Sequence, residues 1–127
     1  MTRATPLRVL LVDDEAEFGS VLSKVLMRRG MDVTVAVDGP SALKLLAAGR
    51  FDVMLLDVKL PGMDGMQVLA EAGRLAADLP VILMTGHLGA VDQDSPPAGA
   101  FAVVLKPHPI PELVALIERA GMTRGSA

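Results

Sequence analysis

Short apolar runs alternate along this chain with longer segments in which apolar residues recur every three or four positions. The runs predict strands at 9–12, 33–37, 51–56, 81–84 and 102–105. The periodic segments predict helices at about 18–29, 41–48, 66–77 and 110–120. Most of the strands are continuously apolar, which is typical of parallel strands buried on both faces. The alternation therefore predicts an α/β domain in which helices cover both faces of a parallel sheet.

Turn and cap residues mark the ends of these segments. Gly30 and Gly49 stop the first two helices, and Asp64-Gly65 is interpreted as a turn and N-cap. The helical spacing places Val21 of the first helix and Leu75 of the third on inward faces. Between Gly86 and Gly99 the pattern is weak, because Gly89, Pro96 and Pro97 interrupt it, and any helix there is predicted to be short or irregular.

Length and composition favour one domain over residues 1–127, with a core at about 7–120 and a frayed tail at 121–127. Although 51% of the residues are hydrophobic, no apolar run has the length of a membrane-spanning helix, and the N-terminus lacks a signal-peptide layout. We therefore expect a soluble, cytoplasmic protein with no membrane partner. The absence of cysteine excludes disulfides and thiolate chemistry. A net charge of −3 and only three aromatic residues argue against direct nucleic-acid binding.

Polar residues follow the predicted strands at their carboxyl ends. Asp57 ends the third apolar run, and Asp13 and Asp14 end the first. Thr85 follows the fourth run and Lys106 the fifth. A carboxylate is costly to bury among apolar side chains without a partner, and the carboxyl ends of parallel strands share one edge. The sequence therefore predicts that three acids, a hydroxyl and an ammonium meet in one pocket.

Three neighbouring carboxylates repel one another unless a cation intervenes, and oxygen ligands suit Mg²⁺. Beside a bound cation, one carboxylate can attack a phosphorus atom while a hydroxyl and an ammonium bind the oxygens of the transferring group. Asp57 is best placed as the nucleophile. Pro107 restricts Lys106 to extended geometry and is a candidate for a cis peptide.

The combination of these residues resembles the receiver domain of two-component response regulators. The motifs that carry the resemblance span about residues 7–120 and are Asp13-Asp14, Asp57, Pro61-Gly62-Met63-Asp64-Gly65, Thr85-Gly86 and Lys106-Pro107. The resemblance implies a flavodoxin-like (βα)5 three-layer sandwich with strand order 2-1-3-4-5. It also implies that the protein accepts a phosphoryl group from a sensor histidine kinase or a phosphotransfer protein and switches protein–protein interactions in a phosphorelay.

Carried over by position, the resemblance makes Asp57 the phosphoacceptor. The implied Mg²⁺ ligands are Asp14 and Asp57, Asp13 directly or through water, and the backbone carbonyl of Lys59. The resemblance makes Thr85 the switch hydroxyl and Lys106 the lysine that pairs with the phosphoryl group. It describes a phosphoacceptor that assists its own phosphotransfer and dephosphorylation rather than an enzyme, and it leaves a homodimer as one candidate assembly.

Three positions depart from the family pattern. Val103 stands where the family usually has an aromatic residue whose inward swing reports phosphorylation. Phe101 lies two residues earlier and is expected on the same side of the strand. Ser95-Pro96-Pro97 interrupts the predicted fourth helix, and His108 stands where an aromatic is frequent. These departures put the family's usual output face in question.

Other interpretations remain for these residues. One of the two acids Asp13 and Asp14 is sufficient for capping the first helix, and Thr85 and Lys106 taken singly are ordinary strand-end residues. Lys59 and His87 flank the pocket, either as tuning residues for hydrolysis or as plain surface residues. The main functional alternative is a phosphorylation-independent docking or dimerisation module. A Mg²⁺-dependent aspartyl phosphatase is disfavoured because Lys59 occupies the place of its second acid.

Overall fold

The structure, a computed structural model, describes residues 6–86, 97–106 and 109–125. These residues form five strands and four helices. The strands are β1 (Arg8–Val12), β2 (Asp32–Ala36), β3 (Val53–Asp57), β4 (Val81–Thr85) and β5 (Ala100–Leu105). The helices are α1 (Ala16–Arg28), α2 (Gly39–Ala48), α3 (Gly65–Leu75) and α4 (Ile110–Gly125). All strand pairs are parallel and the sheet order is β2-β1-β3-β4-β5, which confirms the predicted flavodoxin-like order.

Each face of the sheet carries its own apolar cluster. Leu10, Met54 and Leu83 point to the face covered by α2 and α3. Leu11, Leu55 and Ile82, each one residue away along its strand, point to the face covered by α1 and α4. Because successive residues of a strand point to opposite faces, a sheet covered on both sides needs apolar residues at consecutive positions. Burial of both faces of the sheet is therefore the reason that the apolar runs in the sequence are continuous.

The helical faces differ from the predicted ones at two positions. Val21 of α1 is 52% exposed and Leu75 of α3 is 49% exposed. In α1 the contact with the sheet is made by Leu22 and Leu26, with the small residues Gly19 and Ser23 also buried. The buried stripe of α1 is therefore formed by Gly19, Leu22, Ser23 and Leu26, and Val21 lies outside it. The expectation that Val21 and Leu75 face inward is therefore wrong.

The last helix continues further than predicted. It runs to Gly125, and Gly121 is buried where a Cβ atom would collide with the side chain of Leu7. The expectation of a frayed tail is therefore wrong for residues 121–125, because this contact ties the helix end to the start of β1. None of the helices within the described part of the chain is both long and apolar enough to cross a membrane.

A β-bulge in β5 places Phe101 on the opposite face from Val103. Val81 is in register with Ala100, but Ile82 is in register with Ala102, so Phe101 is the extra residue. Phe101 packs on the α1–α4 side, whereas Val103, only 4% exposed, belongs to the cluster under α2 and α3. The expectation that the two side chains share a side is wrong, and Phe101 does not substitute for an aromatic at position 103.

The turn before α3 confirms the predicted N-cap. The Asp64 carboxylate accepts a hydrogen bond from the backbone N–H of Met66 at 3.1 Å, and the Gln67 side chain accepts one from the backbone N–H of Asp64 at 3.0 Å. This reciprocal pair satisfies N–H groups that have no partner inside the helix. Most of the weak segment, including Gly89 and Pro96, lies outside the described residues, as do His87, Pro107 and His108.

Replacement of Asp64 by Ala is expected to lower the free energy of unfolding by about 1 kcal/mol, because the first turn of α3 loses its cap. Urea denaturation followed by circular dichroism measures the change. Asp64→Ser retains a capping oxygen and is the matched control. A loss as large in Asp64→Ser as in Asp64→Ala would show that the cap is not the cause.

Candidate functional site

The residues predicted to form the site lie at the carboxyl edge of the sheet. Asp57 is the last residue of the central strand β3, and Thr85 is the last residue of β4. Backbone hydrogen bonds continue past the strand ends, from Asp13 N–H to Ala36 O at 3.0 Å and from Lys106 N–H to Thr85 O at 2.7 Å. These backbone hydrogen bonds fix the main-chain positions of Asp13 and Lys106, from which their side chains extend over the edge of the sheet.

Three carboxylates converge at this edge. Asp13, Asp14 and Asp57 each offer an oxygen, and these atoms lie within 4.8 Å of one another. Asp13 is 1% exposed and Asp57 is 5% exposed, whereas Asp14 faces solvent. Two buried acids and one exposed acid, all with oxygen donors, suit a hard divalent cation that keeps part of its hydration shell. The residues present therefore fit a Mg²⁺ ion.

The Lys106 ammonium lies against the same acids. Its Nζ donates to Asp13 Oδ2 at 2.7 Å, to Asp57 Oδ2 at 3.0 Å and to Glu15 Oε1 at 2.8 Å. The Lys106 side chain is 15% exposed, and Nζ lies 5.0 Å from the centre of the Phe18 ring. An ammonium group has three hydrogens, so the three carboxylates account for all of them.

Burial and hydrogen bonding set the ionisation of this group of residues. Burial raises the pKa of Asp57, and it outweighs the opposing hydrogen bonds from Lys106 and from the Lys59 backbone N–H. Burial alone would lower the pKa of Lys106, but hydrogen bonds to Asp13, Glu15 and Asp57 raise it above its usual value. Lys106 is therefore a permanent cation at neutral pH, held next to the carboxylates.

Thr85 and Lys59 line an open cleft beside this cluster. Thr85 is buried and is in register with Leu105 of β5. It directly follows Met84, the residue of β4 that is in register with Asp57. The backbone N–H of Lys59 donates to Asp57 Oδ1 at 3.0 Å, while its side chain is exposed. The Asp57 carboxylate therefore accepts hydrogen bonds from two sides, from the Lys59 backbone N–H on the cleft side and from the Lys106 ammonium on the β5 side.

The prediction that the strand-end residues share one edge is confirmed for Asp13, Asp14, Asp57, Thr85 and Lys106. The sequence did not indicate a role for Glu15 or a contact of Phe18 with the ammonium. Glu15 follows the acid pair within the first strand–helix turn, which places it at the same edge. That position is the one signal in the sequence for its involvement.

The family model for the response regulator receiver domain matches residues 9–118. This chain belongs to that family. The receiver fold is also found in solved structures. A receiver domain protein from Methanospirillum hungatei matches with a TM-score of 0.88 and 26% identity, over 96% of this chain and 98% of that chain. TrrA from Thermotoga maritima, solved in complex with Mg²⁺ and BeF, matches with a TM-score of 0.80 and 29% identity, over 90% and 98% of the two chains.

Longer regulators are similar in sequence. The transcriptional regulator NtrC of Escherichia coli is 39% identical over 116 residues, which are 88% of this chain and 24% of NtrC. The probable transcriptional regulatory protein TcrX of Mycobacterium tuberculosis is 38% identical over 123 residues, which are 93% of this chain and 53% of TcrX. The receiver therefore spans about a quarter of one relative and about half of the other. Receiver domains are phosphoacceptors that interact with histidine kinases and bind Mg²⁺ in an acidic pocket.

Proposed function

We propose that Asp57 is the phosphoacceptor of this receiver domain. The supporting observation is a carboxylate that is 5% exposed, ends the central strand and lies between Lys106 and the cleft lined by Thr85. In the transfer, a carboxylate oxygen of Asp57 forms a bond to phosphorus while the bond from phosphorus to the donor's imidazole nitrogen breaks. The donor nitrogen keeps that electron pair, and a proton on the other ring nitrogen makes the leaving group neutral histidine.

The residues that would hold Mg²⁺ are Asp13, Asp14 and Asp57, with the Lys59 carbonyl as a further ligand. When bound, the ion neutralises negative charge on the carboxylates and on the transferring group. We assign Lys106 to one phosphoryl oxygen, since its ammonium already lies 3.0 Å from Asp57 Oδ2. Thr85 is assigned to another, since its strand lies next to β3 and it lines the cleft.

The proposed partners are a sensor histidine kinase or a phosphotransfer protein as donor, with a homodimer as a further assembly. The receiver is proposed to assist its own phosphorylation and dephosphorylation rather than to turn over a separate substrate. Its output is a change in protein–protein contacts. The output route differs from the usual one, because position 103 is valine and the bulge turns Phe101 to the other face.

Incubation with acetyl phosphate and Mg²⁺ is expected to add the mass of one phosphoryl group, because the donor supplies the group and Asp57 the nucleophile. Intact-mass spectrometry measures the gain, and Asp57→Asn is expected to abolish it. Asp38→Asn is the matched control, because asparagine also caps a helix and Asp38 is the N-cap of α2. A gain that persists in Asp57→Asn would contradict the assignment.

The second candidate function is a docking module that does not depend on phosphorylation. The observation that favours it is the arrangement of β5, where Val103 fills the position under α2 and α3 and no aromatic side chain from this strand points there. Sedimentation velocity with and without acetyl phosphate and Mg²⁺ separates the two functions. Self-association that is equal in both conditions, together with no gain in mass, would favour the docking module.

A further inference from the structure

We propose that Glu15 is a positioning residue that shares the Lys106 ammonium with Asp13 and Asp57 and competes for it with a phosphoryl group. The inference rests on the proposed function of Asp57, which it extends by one residue. Neither the strand-end pattern nor the acid cluster assigns Glu15 a role, because the cluster of mutually close acids comprises Asp13, Asp14 and Asp57.

Glu15 occupies a position where its side chain is free for this contact. It is the N-cap residue of α1, yet its side chain makes no capping hydrogen bond. Its backbone N–H donates to Asp13 Oδ1 at 2.8 Å, which fixes the residue beside the cluster. From there the carboxylate reaches Lys106 Nζ at 2.8 Å across the mouth of the site. The Lys106 hydrogen bond also lowers the pKa of Glu15, so the acid is charged at neutral pH.

The three acceptors of the ammonium differ in how readily each is replaced. The side chains of Asp13 and Asp57 are 0% and 7% exposed, whereas that of Glu15 is 62% exposed. A buried carboxylate that loses its cation has no water to replace it, but Glu15 is hydrated as soon as it is released. Phosphorylation converts the Asp57 carboxylate into an acyl phosphate, so Asp13 and Glu15 are the carboxylates that compete with the phosphoryl oxygens for the ammonium. Glu15 is the exposed one of the two and is therefore the acceptor that gives way.

The contact with Glu15 also explains where Lys106 rests. Glu15 and Phe18 both lie at the start of α1, and Nζ lies 5.0 Å from the centre of the Phe18 ring. The ammonium is thus held between Asp57 and the start of α1. A phosphoryl oxygen at Asp57 needs one of the ammonium hydrogens, and Glu15 holds one of them, so the charge on Glu15 opposes phosphoryl binding.

Two measurements on Glu15→Gln test this role, with Glu17→Gln as the matched control. Glu17 is an exposed acid in the first turn of the same helix, so its replacement changes the net charge equally. The first measurement uses the free protein without Mg²⁺, in which the ¹H–¹⁵N signal of the Lys106 ammonium is expected to shift in Glu15→Gln and stay in place in Glu17→Gln. No shift in Glu15→Gln would overturn the proposal whether or not Asp57 is phosphorylated.

The second measurement is the dissociation constant of beryllofluoride, a phosphoryl analogue, at saturating Mg²⁺. Glu15→Gln is expected to bind it about two- to fivefold more tightly, the range that corresponds to loss of one solvent-exposed ion pair. Equal or weaker binding, or the same tightening in Glu17→Gln, would overturn the competition. If the wild-type protein takes up neither beryllofluoride nor a phosphoryl group, the proposed function of Asp57 is wrong, and so is the proposed competition for Lys106. The ¹H–¹⁵N signal of Lys106 still decides whether Glu15 positions the lysine.

Discussion

Replacement of Lys106 by Met is expected to lower the free energy of unfolding by about 3 kcal/mol at neutral pH without divalent cations, because two buried carboxylates lose their cation. The Lys106 side chain is 15% exposed and lies 2.7 Å from Asp13 Oδ2 and 3.0 Å from Asp57 Oδ2. Methionine fills a similar volume but donates no hydrogen bond. Urea denaturation with a chelator present measures the loss.

The loss in Lys106→Met is expected to shrink as the pH falls. Asp57 has a raised pKa in the folded protein, so its contribution to stability is present at acid pH and is lost as the pH rises through the folded pKa. The hydrogen bond from Lys106 opposes the rise in the pKa of Asp57, and Lys106→Met removes this hydrogen bond. The difference between the two proteins should therefore be smaller at about pH 4 than at about pH 7.

Controls for Lys106→Met come from the same chain. Lys24→Met, at an exposed position of α1, is expected to change the free energy of unfolding by less than about 0.5 kcal/mol. The double variant Asp57→Asn with Lys106→Met should recover part of the loss, because one uncompensated charge is gone. A loss that is the same at both pH values, or unaffected by Asp57→Asn, would show that the carboxylates are not its cause.

Replacement of Gly65 by Ala is expected to lower the free energy of unfolding by about 3 kcal/mol or more, since the new methyl group has no space. A Cβ atom at this position would lie 2.5 Å from the carbonyl oxygen of Asp57 and 2.6 Å from Val58 Cα. These are backbone atoms of the chain that carries the proposed phosphoacceptor, so relief of the collision moves Asp57. Beryllofluoride affinity should fall together with stability.

Gly73→Ala in the same helix is the matched control. Nothing lies within 4 Å of a Cβ atom built there, and the residue is exposed in the interior of α3. Alanine is the better helix former, so this variant is expected to be more stable than the wild type by about 0.5–1 kcal/mol. If Gly65→Ala behaved like Gly73→Ala, α3 would not be packed on the end of β3 as closely as the structure indicates.

Much of the site was predictable because its residues follow strands. A charged residue directly after a buried apolar run has a defined place at the edge of a parallel sheet, and this holds for Asp13, Asp57 and Lys106. The alternation of runs and periodic segments indicated a parallel α/β fold. The strand order came from the family resemblance, since local pattern carries no information about which strands are neighbours.

Register and orientation were decided only by the tertiary structure. The bulge at Phe101 depends on how β5 pairs with β4, and no local signal distinguishes it from a regular strand. The exposure of Val21 and the burial of Gly121 depend on how close each helix comes to the sheet. Short-range sequence pattern describes what each segment prefers, whereas these features are set by contacts between segments.

The sequence by itself determined the fold class and the acid, hydroxyl and ammonium residues at the carboxyl edge, because periodicity and strand ends are properties of short stretches of chain. The tertiary structure alone decided that Lys106 is shared among Asp13, Asp57 and Glu15, and that Phe101 faces away from Val103. Both depend on distances between residues far apart in the chain. Those distances are fixed by packing and strand register rather than by local preference.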